Sequence, residues 1–205
     1  MLAYVFWHAP APGTAVADYE RALAAFHGVL AGAPPAGFRG SVAARLDGPP
    51  WPGGAAAYED WYLVEDWAAL GTLNEAAVAG ARRAPHDAAA AMAHDGVAGV
   101  YAPVRGAVAP PREAHAAWLA KPPGMAYDAF LAALGDGHAA VWQRQMTLGP
   151  APEFCVLDGA PPALPWPAAV LARRVVVCGA PARPAVSPAR VPARVGAGTP
   201  VRIRG

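Results

Sequence analysis

The chain has 205 residues, 55% hydrophobic and 15% charged, with 54 alanines, 15 arginines and one lysine. A chain of this length buries roughly two thirds of its unfolded surface and supports its own core, while a net charge of only +1 argues against nucleic acid as the main partner. The longest uncharged runs, Ala22 to Phe38 and Gly159 to Ala172, are broken by glycine and proline and fall short of the roughly 20 apolar residues of a membrane helix.

In chain order, Phe6-Trp7-His8-Ala9-Pro10 reads as an apolar strand stopped by proline. The residues before it lack the basic segment that opens a secretory signal, so a cytoplasmic protein is expected. Val16, Tyr19, Leu23, Phe26 and Leu30 recur at three and four residues before Gly32 and predict a helix. Phe38 to Leu46 and Glu59 to Val64 read as a strand pair. A long helical region starts at an Asp66 cap before Trp67 and runs through Leu70, Leu73 and Ala77 to Met92. Val97 to Val104 is a further strand.

The same order then returns. Trp118 to Pro122 aligns with Phe6 to Pro10, and a helix carrying Tyr127, Phe130, Leu131 and Leu134 ends at Gly135. Strands Ala139 to Leu148 and Glu153 to Leu157 meet across Gly149-Pro150. A short helical segment, Ala163 to Val170, is interrupted by Pro165 and Pro167, and Leu171 to Cys178 is the last strand. Tyr19, Leu23 and Phe26 thus fall on Tyr127, Leu131 and Leu134, Glu59 on Glu153, and Leu63 on Leu157. Three regions follow: repeat 1 over 1–110, repeat 2 over 111–180, and a proline- and arginine-rich arm over 181–205. From Arg173 onward there are seven arginines and no acid, and residues 1–110 carry 10 acidic against 6 basic side chains. The arm is therefore expected to extend along the acidic half, with an electrostatic foot on nucleic acid or an acidic partner as the alternative.

The fold class is α+β: two ferredoxin-like β-α-β-β-α-β repeats packed sheet to sheet as an intrachain barrel, with an extended C-terminal arm. The bulky residues on both faces of Tyr4 to His8 require cover on both sides, by helices on one and by the other repeat on the other. Tandem repeats in this order resemble the dimeric α+β barrel superfamily, which includes antibiotic-biosynthesis monooxygenases, EthD-like proteins, muconolactone isomerases and chlorite dismutases. The resemblance covers residues 1 to about 180. Ala84-Pro85-His86-Asp87 is reminiscent of its monooxygenase members. It implies strand order 4-1-3-2 in each repeat, which sets Cys155 and Cys178 on either side of a strand, reduced and unpaired.

The resemblance also implies a small ligand held between sheet and helices. Tyr4, Phe6 and His8 share one face of their strand, and Glu59, Trp61 and Leu63 share one face of theirs. His8, at the strand end, is the candidate base, oriented by Glu59. Trp142-Gln143-Arg144-Gln145-Met146, followed by Glu153-Phe154-Cys155, is the densest polar cluster in any strand. Arg144 would anchor an anion, with Trp61, Gln143, Gln145 and Glu153 as further substrate contacts. An Arg144–Glu153 ion pair that fixes the hairpin is the structural alternative. His86 and His94 are too far apart for helical metal ligands, so no metal site is assigned. The two serines, Ser41 and Ser187, are not placed as nucleophiles, and no glycine-rich phosphate loop is present.

Two function classes follow. One is a cofactor-independent enzyme of the monooxygenase or isomerase kind, acting on a small aromatic or anionic molecule. The other is a non-catalytic ligand-binding or scaffold protein. Haem, implied by the chlorite dismutases, is a minor alternative: it needs a histidine on a substantial helix of the second repeat, where His115 and His138 instead flank strands. The expected partner is a small molecule, without membrane, and self-association is open.

Overall fold

In a computed structural model the chain is described over residues 1–48, 51, 57–107, 113–147, 149–167 and 170–180. The arm over 181–205, with Ser187, lies outside the described residues. The elements are β1 (Leu2–Pro10), α1 (Val16–Gly32), β2 (Phe38–Leu46), β3 (Tyr58–Val64), α2 (Trp67–Ala77), a 3-10 turn (Gly80–Arg82), α3 (Arg83–Ala91), β4 (Ala93–Gly106), β5 (Glu113–Leu119), α4 (Tyr127–Leu134), β6 (Ala140–Thr147), β7 (Phe154–Asp158) and β8 (Val170–Ala180). As expected, Asp66 caps α2, its carboxylate accepting from the Ala69 amide at 2.9 Å.

The eight strands form one closed antiparallel barrel in the order β1-β3-β2-β8-β5-β7-β6-β4. The first four lie as 4-1-3-2 and the last four as 8-5-7-6. Two seams join the groups, β2 to β8 and β4 to β6. Sheet-to-sheet packing alone therefore gives way to edge joining, which leaves no strand edge open. β5 separates Cys155 on β7 from Cys178 on β8, and both thiols are free.

Alternation along the strands sorts the core into an interior and an outer layer. Ala3, Val5, Trp7, Trp61, Leu63, Tyr101, Trp118, Trp142, Cys155 and Leu157 fill the interior from both groups. Trp7 meets Trp118 edge-on with ring centres 5.1 Å apart, and Trp61 meets Trp142 at 5.3 Å. Among these rings lies a fully buried ion pair, Arg174 Nε donating to Glu59 Oε1 at 2.7 Å. It ties β3 to β8 across the two groups. Trp7 Nε1 also donates to Glu59, at 3.3 Å.

Two sequence expectations change. Trp118 lies inside the barrel with Trp7, whereas Phe6 faces outward. The Phe6–Trp118 match therefore pairs residues of opposite strand faces, and Trp7 is the β1 residue that shares the inward face of Trp118. The second is the segment Ala163 to Val170: residues 161–167 form no helix and Val170 already belongs to β8. Pro165 and Pro167 lack the amide hydrogens that a helix there would need. Outside the barrel, α1, α2 and α3 cover the first four strands, with α1 reaching over onto Val177 and Cys178 of β8, while α4, eight residues long, packs on β5, β6 and β7.

Candidate functional site

The outward face of β1 and β3 carries Tyr4, Phe6, His8, Tyr58, Asp60 and Tyr62, and the helices stand off enough to leave a cavity of about 670 Å³. Its walls are mostly apolar: Leu23 and Phe26 from α1, Leu70, Leu73 and Ala77 from α2, Ala89 and Ala90 from α3, and Val100 from β4. Trp67, Val78 and Met146, all exposed, also line it. Met146 comes from β6 across the seam.

His8, Tyr19, Asp60 and Tyr62, all buried, form the polar floor. Local backbone places His8 here. The β1–β4 register shifts between Trp7 and Ala9, with Asp95 at φ 55° and Gly96 on the opposite strand, a bulge of the sort that re-aims one side chain. A Cβ on Gly96 would stand 2.8 Å from the Phe6 ring, so glycine lets that ring lie against β4 and stack on His8 at 5.2 Å.

His8 is held on both sides. The Tyr19 hydroxyl hydrogen-bonds its Nδ1, and its Nε2 lies 3.3 Å from Asp60 Oδ1. His27 Nε2, from α1, lies 3.4 Å from the other oxygen of Asp60, and His27 Nδ1 bonds the Ser41 hydroxyl at 2.7 Å. Tyr62 donates to Asp60 Oδ2 at 2.9 Å. At 3.3–3.4 Å the two imidazole contacts are longer than good N–H···O bonds. Neither imidazole Nε2 nor Asp60 Oδ1 has a hydrogen-bond partner among the described residues.

Burial acts to raise the carboxyl of Asp60, but attraction from His8 and His27 outweighs it and holds Asp60 well below the usual carboxylate range. Burial, then the Asp60 charge, pushes the Tyr19 and Tyr62 hydroxyls far up. Tyr58 rises to about 12 through burial and its bond to Glu20. The floor thus holds its negative charge on Asp60 and keeps its phenols protonated at neutral pH.

The sequence candidates divide. His8 lies at the cavity. Glu59 and Trp61 share the opposite face of β3 and point into the barrel, so the carboxylate beside His8 is Asp60 and not Glu59. Arg144 is outside the cavity lining, its guanidinium donating to the Ala151 carbonyl. Its backbone amide, not its side chain, meets Glu153, at the carbonyl oxygen. Glu153 instead accepts from the Tyr127 hydroxyl at 2.5 Å and from the Lys121 amide at 3.3 Å. Gln143 and Gln145 stand beside Arg144 on β6, also outside the lining. His86 lies on α3 and His94 on β4, so the pair shares no helix.

Asp60 and His27 were missed, although both left a signal. Tyr-Glu-Asp-Trp-Tyr puts acids on opposite faces of a strand buried throughout, so each needs its own partner. His27 shares the apolar face of α1 with Tyr19, Leu23, Phe26 and Leu30. The residues around the last four strands do not fit the haem expectation: α4 carries no histidine, His115 lies on β5, and both ring nitrogens of His138 are taken, by Asp158 at 2.6 Å and the Leu134 carbonyl at 3.1 Å.

No family model matches the sequence, and no curated protein matches it. A crystal structure of a protein designated a candidate chlorite dismutase is similar over 85% of this chain and 94% of its own, with 13% identity and a TM-score of 0.49. At that level the likeness assigns neither activity nor ligand to this chain.

Proposed function

We propose that this chain binds a small, largely apolar molecule of aromatic size in the helix-covered cavity of its first repeat, and that His8 exchanges a proton with it. The reaction class is cofactor-independent, of the monooxygenase or isomerase kind. The observation that carries the reading is the convergence of His8, Tyr19, Asp60 and Tyr62 on the floor of an otherwise apolar cavity. Buried ionisable groups aimed into a cleft are a mark of functional sites. Tyr19 fixes the imidazole ring through Nδ1 while Asp60 faces its Nε2 at 3.3 Å, and a base needs such positioning.

The same strand order in the two groups supports a tandem ferredoxin-like duplication in which only the first copy keeps a ligand site. The proposed anionic substrate loses its support, because the arginine on which it rested does not line the cavity. No helix among the described residues is long and apolar enough to cross a membrane.

The test begins with a screen of small aromatic compounds for saturable binding, followed by turnover assays on the hits. His8→Ala is expected to lower kcat roughly 10²- to 10⁴-fold with ligand affinity changed little, and Arg144→Ala to change neither. Full turnover in His8→Ala would refute the catalytic role, and tight binding without turnover would leave a binding protein.

A further inference from the structure

We infer that the cavity selects an apolar molecule carrying a protonated amine head, seated on Asp60 Oδ1, and discriminates against carboxylates and other anions. The inference rests on the reading of this cavity as a ligand site and names the chemistry of what it takes.

Several observations meet on it. Asp60 is 3% exposed and lines the cavity floor. Its Oδ2 accepts from Tyr62, whereas no described residue donates a hydrogen bond to its Oδ1. A buried carboxylate oxygen left without a donor is costly. An incoming donor relieves that cost, and a carboxylate brings no donor. His8 Nε2, 3.3 Å from that oxygen, also lacks a hydrogen-bond partner. An ammonium has three donors, and one of them can take the place of the long His8 contact on Oδ1.

No lysine or arginine lines the cavity; its basic side chains are His8, already set against Asp60, and His86, whose Nδ1 is bonded to Asp87. Tyr4, Phe6, Phe26, Tyr62 and Trp67 supply aromatic rings around it, whose faces attract cations. The surrounding repeat adds a favourable long-range field, with 10 acidic against 6 basic side chains over residues 1–110.

The test uses the full chain near neutral pH and three probes with one shared body: phenethylamine, phenethyl alcohol and hydrocinnamate. Binding is read as NMR shift changes of His8, Phe6 and His86. The amine is expected to bind roughly ten- to a hundredfold more tightly than hydrocinnamate, with the alcohol between them. Asp60→Asn should bring the amine to the alcohol's affinity. Met146→Lys alters an exposed rim position and spares the floor, so it serves even if Asp60→Asn does not fold. It should weaken the amine severalfold more than the alcohol. Equal affinity for amine and hydrocinnamate, an amine preference that survives Asp60→Asn, or an amine unaffected by Met146→Lys overturns the inference. If all three probes bind alike, the ligand site stands and the amine head alone falls. If none moves the cavity resonances, both fall together.

Discussion

The two outer faces of the barrel share one strand order and differ in what covers them. Over the first four strands, three helices stand above a floor of buried His8, Tyr19, Asp60 and Tyr62. Over the last four, Phe130 and Leu134 of α4 pack directly on Ala117, Leu119, Val141, Phe154 and Val156. Trp166 stacks on Phe130 at 4.8 Å, in the loop that replaces a second helix. Cover by long helices leaves room for a ligand, whereas cover by one short helix and a loop closes on the sheet. The tyrosines matched by sequence make the same point: Tyr19 is 0% exposed beside His8, and Tyr127 is 48% exposed beside Glu153.

The interior belongs to both groups, so a change there should ignore the difference between them and have the largest effect. Arg174→Met leaves Glu59 buried without its counter-charge, and is expected to cost about 3–5 kcal/mol in urea unfolding, in one transition. Two separate transitions would show that the groups fold independently.

Next in size is a direct comparison of the faces. Phe130→Ala should cost about 3–5 kcal/mol, because the residue is fully packed. Phe26→Ala, which borders the cavity, should cost about 1–2 kcal/mol less, since truncation there extends an existing space. Equal costs would mean that the cavity wall is as tightly packed as the second face.

The first face should also carry an acid dependence through Asp60. The folded-state pKa of Asp60 is depressed, so its contribution is complete above the unfolded value of about 3.9 and is lost as pH falls below it. Asp60→Asn should flatten the loss of stability below about pH 4 in acid unfolding monitored by circular dichroism. An unchanged acid slope would count against an ionised Asp60. The smallest effect concerns the cover itself: Asp66→Ala removes the cap of α2 and should cost about 1 kcal/mol, with a matching loss of ligand affinity at the cavity wall α2 supplies.

Much of this was legible in the sequence. Periodicity gave α1 and most strands, since those segments obey period two or a spacing of three and four. The region expected as one helix from Asp66 to Met92 is instead broken after Ala77 by a 3-10 turn at Gly80, and β5 runs over Glu113–Leu119, ahead of the expected Trp118 to Pro122. The Asp66 cap was readable from its position before an apolar helix. Side-chain direction was not: Glu59 and Asp60 are adjacent acids, and only the barrel decides which of them faces the helices. The Phe6–Trp118 match across opposite strand faces has the same origin, because Phe6 and Trp7 are equally good strand residues. The bulge at Asp95 and Gly96, which sets His8, depends on pairing between β1 and β4, so no local pattern marks it.

A crystal structure of the full chain soaked with phenethyl alcohol tests the account most directly. The account predicts density between β1, β3 and the three covering helices, with the hydroxyl against His8 or Asp60 and the ring among Phe6, Phe26 and Leu73. Density instead over α4 near Phe130 and Trp166, or helices α1 to α3 collapsed onto the strands with the cavity gone, would contradict it.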